Sequence, residues 1–482
     1  MHQPRPRPRR RAGTFVALGL AVVLLATACG GEGATPAERA AAAPPPGEAA
    51  RLSTPVLSAR RAPELLRSTI TGERIREALA PVLAEAPAAS CLVVSAGGRV
   101  VVAKDAAVPM APASTLKILT GTAVLEVLDP DSRLTTTAAA ARAPSNGVID
   151  GDLYLIGGGD PILTTAGYKV TFENPEQLSN DFGQLADRIW AAGVREIRGG
   201  IVGDESRYDT ERWVPTWPQR YQREGYVGPL SALVVNDGST GLSLAPDVPA
   251  RVRMPGEPAL LAAETLKSLL ESRGVRVSGE PTVGRAPERV VPVATLDSPP
   301  IGDLVGELIA DSDNTTAELL VKELGHRVRG DGSTQAGLDV MAGTLSELGL
   351  PTAGLELRDG SGLDPADRVT CGLLVAALDR VGPDSLLGRS LPIAGRTGTL
   401  RKRMRSTAAE GRVRAKTGTL AEVNALAGFA VTGTGTTLTF AYLINGPDQT
   451  LGVLPLDEFA AALVSVPDGP PIERLAPRPA GA

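Results

Sequence analysis

Histidine is nearly absent from the 482-residue chain: there are two, and His2 stands at the very start. Any Ser-His-Asp triad would have to use the other, His326, in "KELGHRVRG". That stretch reads as the last turn of a helix, where an imidazole beside the final carbonyls is an ordinary capping residue. One histidine without a Cys-x-x-Cys also removes the ligand set of a zinc hydrolase, and no cofactor motif or metal site is legible. Positive charge is not in excess: 49 Lys and Arg face 54 Asp and Glu, for a net charge of −5. No basic stripe crosses the globular part, which excludes nucleic acid as a partner. Cysteine is scarce, with Cys29, Cys91 and Cys371 alone. Export would let Cys91 and Cys371 pair, while within "SCLVVS" and "TCGLLVAAL" the preferred reading is two separate small buried hydrophobes.

What is present begins with an export signal. "MHQPRPRPRRRAGTFVALGLAVVLLATACGG" has a basic start, an apolar run from Ala12 to Ala28 and small residues before Cys29. Ala26-Thr27-Ala28 suits cleavage of a signal peptide over 1–28, and Cys29 directly after it suits a lipidated, membrane-attached form. The apolar segment itself is at the short limit for an uncleaved anchor. All three place the protein outside the cytoplasm, in the cell envelope or secreted. Residues 29–59 are Ala/Pro-rich and read as a tether, and 467–482 as a flexible tail.

Between these, 43% hydrophobic composition is enough for a substantial core. "CLVVSAGGRVVVAKDA" reads as two strands turning at Gly97-Gly98. "PASTLKILTGTAVLEVL" reads as a helix starting at Pro112. Over 141–295 short strand-like runs prevail, with one helix in "LLAAETLKSLLESRG". Helices return after 296, and "GRVRAKTG", "ALAGFAVTG" and "TTLTFAYLING" read as closing strands. The order predicts an α+β catalytic domain from 60–140 and 296–466, interrupted by a mostly β inserted domain over 141–295.

With no histidine to serve it, a serine nucleophile needs another base. "ASTLK" supplies one: Ser114 and Lys117 lie one helical turn apart, and a buried lysine can accept a proton once its pKa falls. Alone this spacing is common. It is joined by Ser312-Asp313-Asn314 in "DSDNTT" and by Lys416-Thr417-Gly418 in "AKTGT". Three such motifs in this order are the signature of serine β-lactamases and penicillin-binding proteins. Asp313 reads as a helix cap rather than a catalyst. The tetrapeptide Thr-Gly-Thr-Leu occurs twice, after Arg396 and after Lys416. The second copy continues into strands; the first runs into the basic "RKRMRS" and reads as a loop over 396–400 outside the active site.

The chain resembles the low-molecular-mass class C penicillin-binding proteins, D-alanyl-D-alanine carboxypeptidases and endopeptidases with a penicillin-binding transpeptidase-like fold. Nearly two hundred residues separate Ser114 from Ser312, as in members with a large insert. "GGGDPIL", "GDESRY", "PLSALVVN", "DGSGL" and "GRVRAKTGTL" match as well. The resemblance implies catalytic roles for Ser114, Lys117, Ser312, Asn314 and Lys416, and substrate contacts from Thr417, Gly418, Thr419 and Ser361. It implies peptidoglycan stem peptides as substrate and β-lactams as covalent inhibitors. Relatives that clamp a diaminopimelate side chain carry an acid three residues after a tryptophan and a base shortly after "SGL". Arg220 and Pro365 stand there instead. The competing readings are a β-lactamase and a non-catalytic cell-wall scaffold.

Overall fold

Strand β1 (Ser90–Ala96) alternates apolar residues on both sides, so it must be covered on both sides. It turns at Gly97 and Gly98, both at positive φ, into β2 (Arg99–Lys104). The computed structural model describes residues 58–172, 174–239, 256–433, 435–446, 452–467 and 469–478; the leader, Cys29 and most of the tether lie outside them. Three late strands, β3 (Val413–Leu420), β4 (Val423–Val431) and β5 (Thr437–Asn445), complete an antiparallel sheet in the order β3-β4-β5-β1-β2.

Alternation along these strands divides the core in two. Cys91, Val93, Ala425, Ala427, Ala441 and Leu443 face one layer of helices, including Lys117–Val127, Ile301–Ala310, Asn314–Arg329 and Cys371–Val381. Leu92, Val94, Leu426, Phe440 and Tyr442 face the other layer, against Ile75, Leu79, Phe459 and Leu463. Helix Lys117–Val127 is buried on every side from Lys117 to Val124, its apolar residues not confined to one face and its polar Lys117, Thr120 and Thr122 hydrogen-bonded internally. No helix among the described residues is long and apolar enough to cross a membrane.

Cys91 and Cys371 form a disulfide, with Cα atoms 6.0 Å apart across 280 residues of sequence. This corrects the reading of two separate hydrophobes: Cys91 points into the layer where helix Cys371–Val381 packs, a proximity that sequence distance hides. Replacing both by alanine is expected to destabilise the fold by about 2 to 4 kcal/mol through the freed unfolded chain, without changing the acylation rate of folded enzyme. A denaturation midpoint equal to the wild type would show that the cross-link stabilises nothing.

The stretch read as mostly β also differs. A second sheet runs Thr282–Val283, Ile201–Asp204, Leu153–Ile156, Thr135–Ala140, Val291–Asp297, with its first two contacts parallel. Its core is filled by Phe182, Leu185 and Ile189 near helix Gly183–Ala191 and by Ala262, Leu266 and Leu270 from helix Pro258–Glu271. The layer is therefore mixed α/β. The helical spacing of Leu185, Ala186 and Ile189 in "GQLADRIWA" was masked by the short strands around it.

Candidate active site

Three separate segments meet at one end of the main sheet. The first is the 3₁₀ turn Ala113–Leu116 leading into helix Lys117–Val127, which presents Ser114 half-buried. Lys117 is fully buried below it, and its Nζ donates to Ser114 Oγ at 3.2 Å, Asn314 Oδ1 at 2.7 Å and the Ser361 carbonyl at 2.6 Å. Three acceptors match the three donors of an ammonium group. Burial nevertheless lowers the Lys117 pKa to about 8, against the opposing pull of Asp359 and Glu318.

The second segment is the break between helices Ile301–Ala310 and Asn314–Arg329. Ser312 adopts a left-handed backbone (φ 65°), a reversal that costs a non-glycine residue energy and that neighbouring structure must hold. Asp313 caps the following helix by accepting from the Thr316 N–H, the role expected of it. Asn314 donates through Nδ2 to the Tyr226 carbonyl at 2.7 Å, which fixes its oxygen toward Lys117.

The third is β3. Lys416, also fully buried, donates to Ser312 Oγ at 2.8 Å and to the Thr417 carbonyl at 3.0 Å. Burial, then the nearby Lys117 charge, push its pKa well below the usual lysine value. β3 is an outer strand, and its free edge is only partly free. The Ala415 N–H donates to the Pro392 carbonyl and the Ala394 N–H to the Val413 carbonyl, both at 2.9 Å. Backbone groups of alternate residues face the same edge, so Thr417 and Thr419 turn theirs outward beyond the end of this strap. Gly418 lies against the Ser114 turn: a Cβ there would come within 2.8 Å of the Pro112 carbonyl and 3.1 Å of the Ser114 nitrogen. Its bareness serves the approach of β3 to Ser114, where the sequence implied only the approach of substrate.

Ser361 is placed differently from expectation. It is fully buried behind Lys117 and meets it through its carbonyl, because "DGSGL" is a pinned loop rather than an open turn. Glu318 accepts from the N–H groups of Ser361 at 2.7 Å and Gly360 at 3.1 Å. Asp359 accepts from Gly362 at 2.6 Å and from Trp217 Nε1 at 2.7 Å. Burial, then Asp359, raise the Glu318 pKa to about 8. Neither carboxylate was singled out by sequence; the only sign of Glu318 was an acid at an otherwise buried helix position.

The first Thr-Gly-Thr-Leu copy lies nearer the site than a loop outside it would. Arg396 is exposed and lies over Gly411, away from the site, but residues Gly398–Leu400 form a 3₁₀ turn beside β3. There the Thr399 and Thr417 hydroxyls are hydrogen-bonded at 2.8 Å.

A model of the D-Ala-D-Ala carboxypeptidase 3 (S13) family matches residues 75–254 and 247–463. The chain belongs to the S13 family. It is 31% identical over 439 residues to the D-alanyl-D-alanine carboxypeptidase of Actinomadura sp. (strain R39), covering 76% of this chain and 79% of that one. To the carboxypeptidase DacB of Mycolicibacterium smegmatis it is 32% identical over 486 residues, covering 95% and 99%. The fold is shared with penicillin binding protein 4 of Haemophilus influenzae, at TM-score 0.68 and 21% identity over 80% of this chain and 98% of that one.

In this S13 chain, His326 lies in the last turn of the helix that begins at Asn314, on the order of 18 Å along its axis from the site. Arg220 and Pro365 line a cavity of about 320 Å³ at the far end of β3, with Arg368, Leu420 and Glu422. The described residues contain no cluster of His, Cys, Asp or Glu that could hold a metal ion.

Proposed function

We propose that Ser114 is the nucleophile through which this serine-type D-Ala-D-Ala carboxypeptidase forms an acyl-enzyme with peptidoglycan stem peptides and with β-lactams. The observation that carries the reading is Lys117: a buried amine 3.2 Å from the Ser114 hydroxyl, with its pKa lowered to about 8, is placed and tuned to take the proton. Ser114 Oγ attacks the carbonyl between the two D-alanines. The oxyanion lies between the N–H groups of Ser114 and Thr419, which the contact at Gly418 draws together. Ser312, which accepts from Lys416 at 2.8 Å, relays to the leaving amine the proton that Lys117 took from Ser114, Lys416 keeps its own protons, and Asn314 holds the substrate amide. Thr417, Thr419 and the Lys416 ammonium hold the terminal carboxylate. Water then hydrolyses the ester.

Residues 141–295 act as an inserted module, and its Arg220 lines, with Arg368 and Glu422, the cavity that receives the peptide side chain. This lining departs from the clamp of diaminopimelate binders in carrying Arg220 where those relatives have an acid. Action is outside the cytoplasm, with the protein either released or held at the membrane through Cys29 or the N-terminal apolar segment.

The test is labelling with fluorescent penicillin followed by peptide mapping. A stable adduct on Ser114 supports the reading; rapid turnover without an adduct supports a β-lactamase; no labelling of folded protein supports a scaffold. Acylation should also depend on pH with a defined sign. The base acts only when neutral, so the rate is expected to rise about tenfold per unit below the Lys117 pKa and to level near pH 8. A rate constant that stays flat from about pH 6 to 9 would remove Lys117 as the base.

A further inference from the structure

The duplicated tetrapeptide puts a second threonine hydroxyl behind the one proposed to hold the substrate carboxylate. We infer that Thr399 is a positioning residue for that carboxylate, acting through Thr417; this rests on the reading of the site given above.

A hydroxyl carries one proton, and Thr417 Oγ1 shares a hydrogen bond of 2.8 Å with Thr399 Oγ1. If Thr417 spends its proton on Thr399, an incoming group meets only lone pairs. A carboxylate can only accept, so its binding requires the reverse: Thr399 donates to Thr417, and Thr417 donates to the anion. Two hydroxyls in series polarise in that direction toward a negative charge. Thr399 thus fixes which way Thr417 points when an anion arrives.

Its own position is held from three sides. Residues 392–394 are strapped to the outer edge of β3 through Val413 and Ala415, so the copy begins where the paired half of that edge stops. The Thr397 hydroxyl accepts from the Ile393 N–H at 2.9 Å, and the Gly395 N–H donates to the Leu400 carbonyl at 3.0 Å. Gly398, at φ +49°, is pressed on the Ala310 carbonyl, where a Cβ would stand at 2.4 Å. The turn therefore touches both the segment that leads to Ser312 and the strand that carries Lys416.

The experiment compares acylation of wild type, Thr399→Val and Thr399→Ser by benzylpenicillin and by its methyl ester, which lacks the anionic acceptor. Thr399→Val is expected to slow acylation by the acid about tenfold and to leave the ester within about twofold, so that discrimination collapses. Thr399→Ser should restore it. Equal losses with acid and ester, no loss with either, or failure of serine to rescue would overturn the inference. Thr399→Ala repeats the comparison should valine disturb folding, which the melting temperature reports. A wild type that forms no adduct on Ser114 would instead sink the underlying reading, and Thr399 with it.

Discussion

Ser114→Ala is expected to abolish covalent labelling by penicillin and peptide hydrolysis together, while the folded state is little changed. The hydroxyl receives one hydrogen bond, from Lys117, which keeps Asn314 and the Ser361 carbonyl as acceptors. Its loss should cost less than about 1 kcal/mol. The result is informative because a rival exists: Ser312 lies 2.8 Å from Lys416, closer than Ser114 lies to Lys117. Two serine-lysine pairs could each be drawn as nucleophile and base. What separates them is the backbone. Ser114 stands at the head of a helix with Gly418 against its nitrogen, so donors converge on it, whereas Ser312 sits in a reversal between helices. Full-rate labelling of Ser114→Ala, mapped to Ser312, would exchange the two roles.

Gly418→Ala should slow acylation on the order of 10²-fold or more, with Ser114 and Lys117 intact. The added methyl would meet the Pro112 carbonyl at 2.8 Å, the Ala113 Cβ at 3.0 Å and the Ser114 nitrogen at 3.1 Å. Two of these are backbone atoms, which cannot swing aside as a long side chain could. β3 must therefore retreat from the nucleophile turn, and the Thr419 N–H retreats with it. A displacement near 1 Å is enough to lose an oxyanion donor. Acylation rates with one penicillin, beside melting curves that establish folding, decide the matter. A variant that acylates at the wild-type rate would mean that the strand and the turn do not need each other, and that Thr419 is no donor.

What could be read from sequence and what could not divide along physical lines. The β1–β2 hairpin was legible because two glycines and an apolar run specify it locally, and the Ser114–Lys117 pair because three residues make one helical turn. Contacts between distant segments were not. Nothing in "SCLVVS" announces that Cys91 faces helix Cys371–Val381, and nothing in "DGSGL" reveals that Glu318 and Asp359 pull the loop inward until Ser361 is buried. Thr399 belongs with these: its repeat was visible, but its meaning depends on which half of the β3 edge is already occupied. Helix Gly183–Ala191 is hidden for another reason, since it is short and lies in a stretch where strand-like runs prevail.

The half-occupied edge of β3 also bears on solubility. An enzyme that captures peptides along a strand must keep backbone donors and acceptors unpaired at its surface, and such an edge invites strands from neighbouring copies of the same protein. The strap at residues 392–394 closes the edge through Val413 and Ala415, and its backbone bonds stop before Thr417. The length beyond can hold a few residues of a peptide end but is too short to seed a sheet between molecules. Lengthening the slot by cutting the strap away would therefore widen access and bring self-association with it.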